Sequence, residues 1–370
     1  MEKEKILTLP PSLNECKKLN IIFPSSAPSK DIYFNGLQIL ETEIKKRYSE
    51  TSDVEIYVNN IIANKISQHP YTNQIFTFLA DTDEKRIKCL IKAFTTNEKS
   101  IICCGRGGYG AIRLFPYFKK KEIMDQIVQG LDKHRFIGFS DATFLHQVFR
   151  IEYKKYYPGK NLITIHGPMP CTSFFSPIKR QNDINLTFNA MIETELNLAF
   201  PIIKGKVLCS NNEKKTGRLL GGSLTCLLAC EGTEWALERD EKNIILFLED
   251  INEMPYRLDR FISQLRNVGV LDKCIGIILG DFSITNDTVF DSRKSIDDDD
   301  NNNNIFSRDF TSEGNFWRVV CGFKQLNIPI LYHADIGHGN ENNFPLALGA
   351  NYTIDCTNME EMDGTLEISM

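Results

Sequence analysis

The amino-acid sequence predicts an α/β fold in two domains, and three observations carry that expectation. Short apolar runs alternate with amphipathic stretches through the first half, the pattern of a parallel sheet covered by helices on both faces. The loops that follow those runs are rich in Gly, Pro and Ser, as befits the ligand-binding ends of such sheets. The chain has 370 residues, more than one ordinary domain, and a second run of strand-like segments begins near Gly205.

Residues 1–18 read as an N-terminal extension. The N-terminal domain, 19–180, opens with a buried strand at 19–23, a tight loop at 24–28 and a helix to about Tyr48 that includes Ile32, Leu37 and Leu40. Residues 54–58 form a second strand. Residues 82–94 place Ile87, Leu90, Ile91 and Phe94 at helical spacing, and Asp81 and Glu84 are spaced as in a capping box. Ser100–Cys104 is a third strand and runs into the glycine loop GRGGYG, 105–110. A short helical patch broken by Pro116 and a charged helix from Lys119 follow. The next buried strand is 136–139, and 141–148 is its helix. Residues 162–165 lead to His166-Gly167-Pro168-Met169. Residues 181–204 are weakly periodic and are expected to link the domains.

The C-terminal domain, 205–370, begins with strand 205–210. Residues 219–224 read as a glycine turn entering an apolar helix. Strand 243–248 ends in Glu249-Asp250. Pro255 opens a helix with Leu258, Phe261, Ile262 and Leu265 on one face, closed by Gly269. Cys274–Leu279 is a strand. The run DDDDNNNN marks 285–311 as a solvated insertion. Strand 329–332 leads to Gly337-His338-Gly339, and 352–354 and 366–368 close the chain.

Composition excludes several classes. Lys and Arg total 43 against 48 Asp and Glu, a net charge of −5 that gives no basic footprint for nucleic acid. No apolar run approaches the roughly 20 residues of a membrane span, and the start has no signal-peptide core. The eleven cysteines include no C-x-x-C pair, and read as small buried hydrophobes of a reducing cytoplasm rather than as disulfides or a metal site.

The chemistry centres on Ser140, in Gly138-Phe139-Ser140-Asp141-Ala142. A serine on a sharp strand-to-helix turn is lifted out of the chain beside backbone N–H groups, as a nucleophile with an oxyanionic transition state requires. One glycine of G-x-S-x-G is missing, and a plain helix cap is the competing explanation. The loop GRGGYG matches G-x-G-x-x-G, but it follows the third strand, its helix is interrupted, and no acidic residue lies about 20 positions on. Close backbone approach to an acyl group, with N–H donors for an oxyanion, suits its glycines better. Arg106 suits a substrate carboxylate, or an ion pair within the protein. Among six histidines, His338 stands between glycines after a buried strand and is the favoured base, with His333 and His166 behind it. Glu249 ends a buried strand and needs a partner. Asp250 and Glu253 are expected to cap the following helix. The order Ser140, Glu249, His338 is that of α/β-hydrolases, with the site in the cleft between domains.

The strings RGGYGAIRL, FIGFSDATFLH, HGPM, LLGGSLT, FLEDINEMPYRLDRFISQL and the late GHG resemble the LD-carboxypeptidase family of serine peptidases, which includes muramoyltetrapeptide carboxypeptidases and microcin C immunity peptidases. The resemblance runs from about Asn20 to the C-terminus. It implies a Rossmann-like parallel-sheet N-terminal domain, a smaller β-rich C-terminal domain, a homodimer, and a Ser-Glu-His triad that requires no metal or organic cofactor. By motif position it puts the nucleophile on Ser140, the acid on Glu249 and the base on His338, with oxyanion donors at the Asp141 N–H and Gly108. The reaction it implies is hydrolysis of the bond between an L-configured diamino acid and a terminal D-amino acid in a small, peptidoglycan-derived peptide. An immunity-type amidase acting on aminoacyl-nucleotide conjugates is the alternative within the family. A non-catalytic peptide- or nucleotide-binding protein is the alternative outside it, and a dinucleotide oxidoreductase stands third. Ser223 replaces a frequent family asparagine, and the 285–311 insertion precedes the histidine strand. Both departures bear on substrate, not on the triad.

Overall fold

Six strands form the first sheet, in the order Leu346–Leu348, Thr164–His166, His134–Gly138, Ser100–Cys104, Lys18–Ile22, Glu55–Val58. This computed structural model describes residues 12–16, 18–47, 54–58, 67–68, 75–76, 78–172, 177–193, 195–210, 212–237, 241–282, 322–323, 325–338, 342–358 and 362–369. The acidic insertion expected at 285–311 and His69 lie outside them. All neighbours in the sheet run parallel except Leu346–Leu348, which pairs antiparallel with Thr164–His166.

The central strands are apolar throughout because both faces are covered. Ile101, Ile102, Cys103 and Cys104 are all fully buried. Alternation divides them between two cores. Ile21, Cys103 and Ile137 pack with Leu40 and Ile44 of helix Lys30–Arg47. Ile22, Ile102, Cys104 and Phe136 pack with helices Asp83–Phe94, Lys121–Leu131 and Thr143–Tyr156. The fold is thus the α/β layer arrangement that the apolar runs predict, with the Rossmann-like parallel sheet that the resemblance implies.

Seven strands close into a barrel: Ile244–Glu249, Cys274–Leu279, Ile330–Tyr332, Ile203–Cys209, Asp363–Ile368, Asn351–Asp355, Lys215–Ser223 and back to the first. The four strands Lys215–Ser223, Ile244–Glu249, Cys274–Leu279 and Ile330–Tyr332 pair in parallel, the first three joined by helices Leu224–Ala229 and Pro255–Asn267, and the rest pair antiparallel. Its interior, with Val207, Leu219, Phe247, Ile278, Leu331 and Leu366, is continuous with the core beneath the first sheet.

Several local expectations shift. The cap of helix Asp83–Phe94 is Thr82, not Asp81: its hydroxyl accepts from the Lys85 N–H at 3.4 Å, while the Asp81 carboxylate accepts from the Thr82 N–H at 2.7 Å. Pro116 lies in the first turn of helix Phe115–Phe118 rather than breaking one, where its missing N–H costs no helical hydrogen bond. Gly221 and Gly222 lie inside strand Lys215–Ser223, at φ +147° and +143°, and helix Leu224–Ala229 follows without a turn. A Cβ on Gly221 would sit 1.8 Å from the Phe247 carbonyl oxygen, so only glycine lets these strands meet.

The stretch between the two units is helical over Pro177–Ile192. Ile184, Phe188 and Met191 repeat at helical spacing and are buried. The buried Arg135 closes the helix by donating to the Ala190 and Glu193 carbonyls at 2.6 and 3.0 Å. All ten described cysteines are free thiols, and none of the described helices is long and apolar enough to cross a membrane.

Phe188→Ala should lower unfolding free energy by about 3–5 kcal/mol in urea titration, since it empties a fully buried ring site. A loss below about 1 kcal/mol would show that this helix is not part of the core.

Candidate active site

Ser140 follows strand His134–Gly138 at the carboxyl edge of the first sheet. Phe139 is extended, and Ser140 then takes φ +60°, where a side chain other than glycine is strained by about 1–3 kcal/mol. The chain turns through Ser140–Ala142 into helix Thr143–Tyr156, so the hydroxyl stands above the sheet beside a helix N-terminus. A Cβ on Gly138 would lie 2.7 Å from the Ala142 Cβ. Gly138 therefore makes room for the turn, which is why alanine can stand where the usual motif has its second glycine.

Two loops brace this elbow. Ser26, after the first strand, donates its N–H to the Gly107 carbonyl at 3.2 Å and accepts from the Tyr109 N–H at 3.0 Å. Arg106 donates to the Ala27 carbonyl at 3.3 Å, so part of its guanidinium is committed within the protein. The buried Asp141 carboxylate accepts from the Ala111 N–H at 2.7 Å and locks the far end of the glycine loop to the elbow. Burial raises the Asp141 pKa, opposed by the neighbouring Ser25 side chain, the Ala111 and Gly110 backbone and the Arg86 charge. Gly107 abuts the nucleophile candidate: a Cβ there would lie 3.0 Å from the Ser140 Cβ. Gly108, at φ +93°, is the next residue, and a Cβ there would strike the Ser26 hydroxyl at 2.6 Å.

The barrel brings Glu249 and His338 together. Glu249 is fully buried at the end of its strand, and its Oε2 lies 2.6 Å from His338 Nδ1. Burial disfavours the imidazolium, but the Glu249 charge and hydrogen bond, helped by Asp250 and Asp281, outweigh it and raise the His338 pKa. Gly337, at φ +105°, lets the turn pass the carboxylate, for a Cβ there would lie 2.9 Å from Oε2. The His338 ring packs on Phe139, the residue before Ser140, with centroids 5.0 Å apart. The units also join where the Ser223 N–H donates to the Thr143 hydroxyl at 3.2 Å.

The other histidines separate cleanly. His166 is fully buried against Phe139 and Phe247, and burial holds its pKa well below the ordinary value. His146 bonds the Gly138 carbonyl and the Thr164 hydroxyl, each at 2.8 Å, and is structural. His134 bonds the Ser100 hydroxyl at 2.9 Å. His333 packs against Tyr332. Among the described residues only His338 meets Glu249.

Asp250 does not cap the helix that follows it. It accepts from the N–H and the hydroxyl of Thr225, at 2.7 and 2.5 Å, in the first turn of helix Leu224–Ala229, because parallel pairing sets the two strand ends side by side. Burial and then the neighbouring Glu249 push it up to about 6. Glu253, just before helix Pro255–Asn267, pairs with Arg257 in its first turn and does not cap it. No group of three or more metal-ligating side chains occurs among the described residues. The sequence marks Gly107 and Phe139 only as members of GRGGYG and GFSDA, and Ser26 only as part of the tight loop 24–28.

Residues 21–157 match the LD-carboxypeptidase N-terminal domain, and residues 216–354 match the LD-carboxypeptidase C-terminal domain. The murein tetrapeptide carboxypeptidase of Pseudomonas aeruginosa is 29% identical over 72% of this chain and 76% of its own. The microcin C7 self-immunity protein MccF of Escherichia coli is 25% identical over 70% of this chain and 74% of its own. The solved muramoyltetrapeptide carboxypeptidase of Oxalobacter formigenes superposes with a TM-score of 0.64 at 21% identity, covering 95% of this chain and 99% of that one. An MccF-like protein from Bacillus anthracis superposes with a TM-score of 0.69 at 18% identity over 98% of this chain and 100% of that one, a likeness of fold. With both halves matched in order, the chain belongs to the LD-carboxypeptidase family of serine-type carboxypeptidases.

Proposed function

We propose that Ser140, His338 and Glu249 are the nucleophile, base and orienting acid of a hydrolase that removes a terminal D-amino acid from a small murein-type peptide. The observation that carries this reading is the 2.6 Å bond from Glu249 to His338, set against the ring that precedes a serine at φ +60°. Glu249 fixes the imidazole with its proton on Nδ1, which leaves Nε2 to take the Ser140 proton. Ser140 attacks the carbonyl before the terminal residue, and the proton passes from His338 to the leaving amine. Water then attacks the acyl-enzyme with His338 again as base. The N–H groups of the 107–108 segment and of Asp141 stabilise the oxyanion. Arg106 borders the same loop and suits the free carboxylate of the terminal residue.

The substrate class follows the names of the relatives: murein tetrapeptide carboxypeptidase on one side and microcin C7 self-immunity protein on the other. We take the first as the reading and the second as its rival. Cytoplasmic action as a homodimer belongs to the same proposal.

The test is incubation with L-Ala-γ-D-Glu-meso-diaminopimelate-D-Ala and, in parallel, an aminoacyl sulfamoyl adenosine, with products followed by mass spectrometry. Release of D-alanine by wild type, and a kcat at least about 10³-fold lower in a folded Ser140→Ala, are expected. Cleavage of the nucleoside conjugate alone moves the substrate to the rival reading, and near-normal turnover by Ser140→Ala removes the mechanism.

The raised His338 pKa sets the pH response. The base must be neutral, so kcat/KM should fall as pH drops through a limb above the ordinary histidine value of about 6.5. Stability runs the other way: the pair's contribution is full below that value and is lost as pH rises through the raised one. A kcat/KM limb below pH 6 in a pH–rate profile contradicts the assignment.

A further inference from the structure

The proposed pair has a second layer of support, built around Asn343. This residue is fully buried, five positions beyond His338. Its backbone N–H donates to the Asp183 carboxylate at 2.9 Å, on helix Pro177–Ile192. Its side-chain oxygen accepts from the Gly337 N–H at 3.0 Å. The same Gly337 passes so close to Glu249 that a Cβ would lie 2.9 Å from Oε2 and 3.1 Å from Cγ. One glycine is therefore in touch with the Asn343 side chain and with the Glu249 carboxylate.

Both of those side chains carry an unused polar atom. Glu249 gives Oε2 to His338, and its Oε1 is buried without a hydrogen-bond partner among the described residues. Asn343 gives its oxygen to Gly337, and its Nδ2 is likewise buried and unpartnered. The assignment of that amide is fixed chemically, since the Gly337 N–H can face only an acceptor. A buried acceptor and a buried donor thus flank one residue, and each left unsatisfied is costly. They make no direct hydrogen bond with each other, and buried polar atoms left in this way are commonly satisfied by ordered water.

We propose that Asn343 is a positioning residue for the catalytic pair, holding the His338 turn through its side-chain oxygen and the second oxygen of Glu249 through its amide and one bridging water. This rests on the triad reading above. Its consequence is electrostatic as well as geometric. A donor on Oε1 spreads the carboxylate charge over two bonds, so the proton stays on His338 Nδ1 and the imidazole stays neutral enough to act as a base. Other titratable groups face the pair: Asp250 beside Glu249, Asp281 beyond strand Cys274–Leu279, and His166 from strand Thr164–His166. Asp183 reaches Asn343 only through its backbone.

The test compares Asn343→Asp and Asn343→Ala with wild type by three readouts: steady-state kinetics across pH, thermal unfolding, and an NMR titration of the His338 imidazole that needs no turnover. Asn343→Asp keeps the shape and the oxygen for Gly337 but replaces the donor with charge. It should raise the His338 titration and the acid limb of kcat/KM together by about one unit. At neutral pH, kcat should fall about ten- to hundredfold in both variants with KM within twofold. Folded variants with an unmoved His338 titration and a wild-type pH profile overturn the proposal. Unfolding of both variants overturns it too, because the role is then structural. Ser140→Ala keeps the two questions apart: retained turnover there defeats the triad, while the His338 titration in Asn343→Asp still reports on the link to Glu249.

Discussion

The bond between Glu249 and His338 is the constraint around which the barrel is arranged. A carboxylate with no solvent exposure is tolerated only with a partner, and removing one member of such a buried pair typically costs about 3–5 kcal/mol. Space for the pair is made by subtraction. Gly337 lets the histidine turn cross the carboxylate, and a Cβ on Gly280 would lie 2.5 Å from the Ile336 carbonyl oxygen and 3.2 Å from the Glu249 Cβ. Gly221 lets the neighbouring strand lie against Phe247, two residues before Glu249. Three glycines far apart in sequence thus serve one carboxylate.

The first sheet meets this with strain of its own. Ser140 holds a left-handed backbone that only its surroundings can enforce. The Asp141 carboxylate supplies part of that enforcement by bonding the end of the glycine loop, and Ser26 bonds that loop from the other side. Ser140 and the Glu249–His338 pair are therefore each braced by bonds within their own unit, the kind of arrangement under which positioning can lower a barrier.

Much of this was legible in the sequence because it is one-dimensional information. Apolar runs such as Ser100–Cys104 and Cys274–Leu279 announce buried strands through their composition alone, and six motifs in a fixed order announce the family. What stayed hidden depends on contacts between distant segments. Helix Pro177–Ile192 reads as a connection in the sequence because its polar residues dilute the repeat of Ile184, Phe188 and Met191. Strand Leu346–Leu348 is three residues long and exists through pairing with Thr164–His166. Sequence proximity points Asp250 to the helix that follows it, whereas strand pairing sets it on Thr225. For the same reason His166 could not be told from a base until its enclosure by two phenylalanines was visible.

That short strand explains how two units keep one site. The chain leaves the barrel at Ile330–Tyr332, passes Gly337 and His338, and returns through Asn343 to pair with the first sheet at Leu346–Leu348. Helix Pro177–Ile192 lies over that sheet and holds Asn343 through Asp183. The histidine turn is thus anchored at one end to the barrel that carries Glu249 and at the other to the sheet that carries Ser140. Relative motion of the units would pull directly on His338, so its position relative to Ser140 is constrained by strand pairing on both sides as well as by its contact with Phe139.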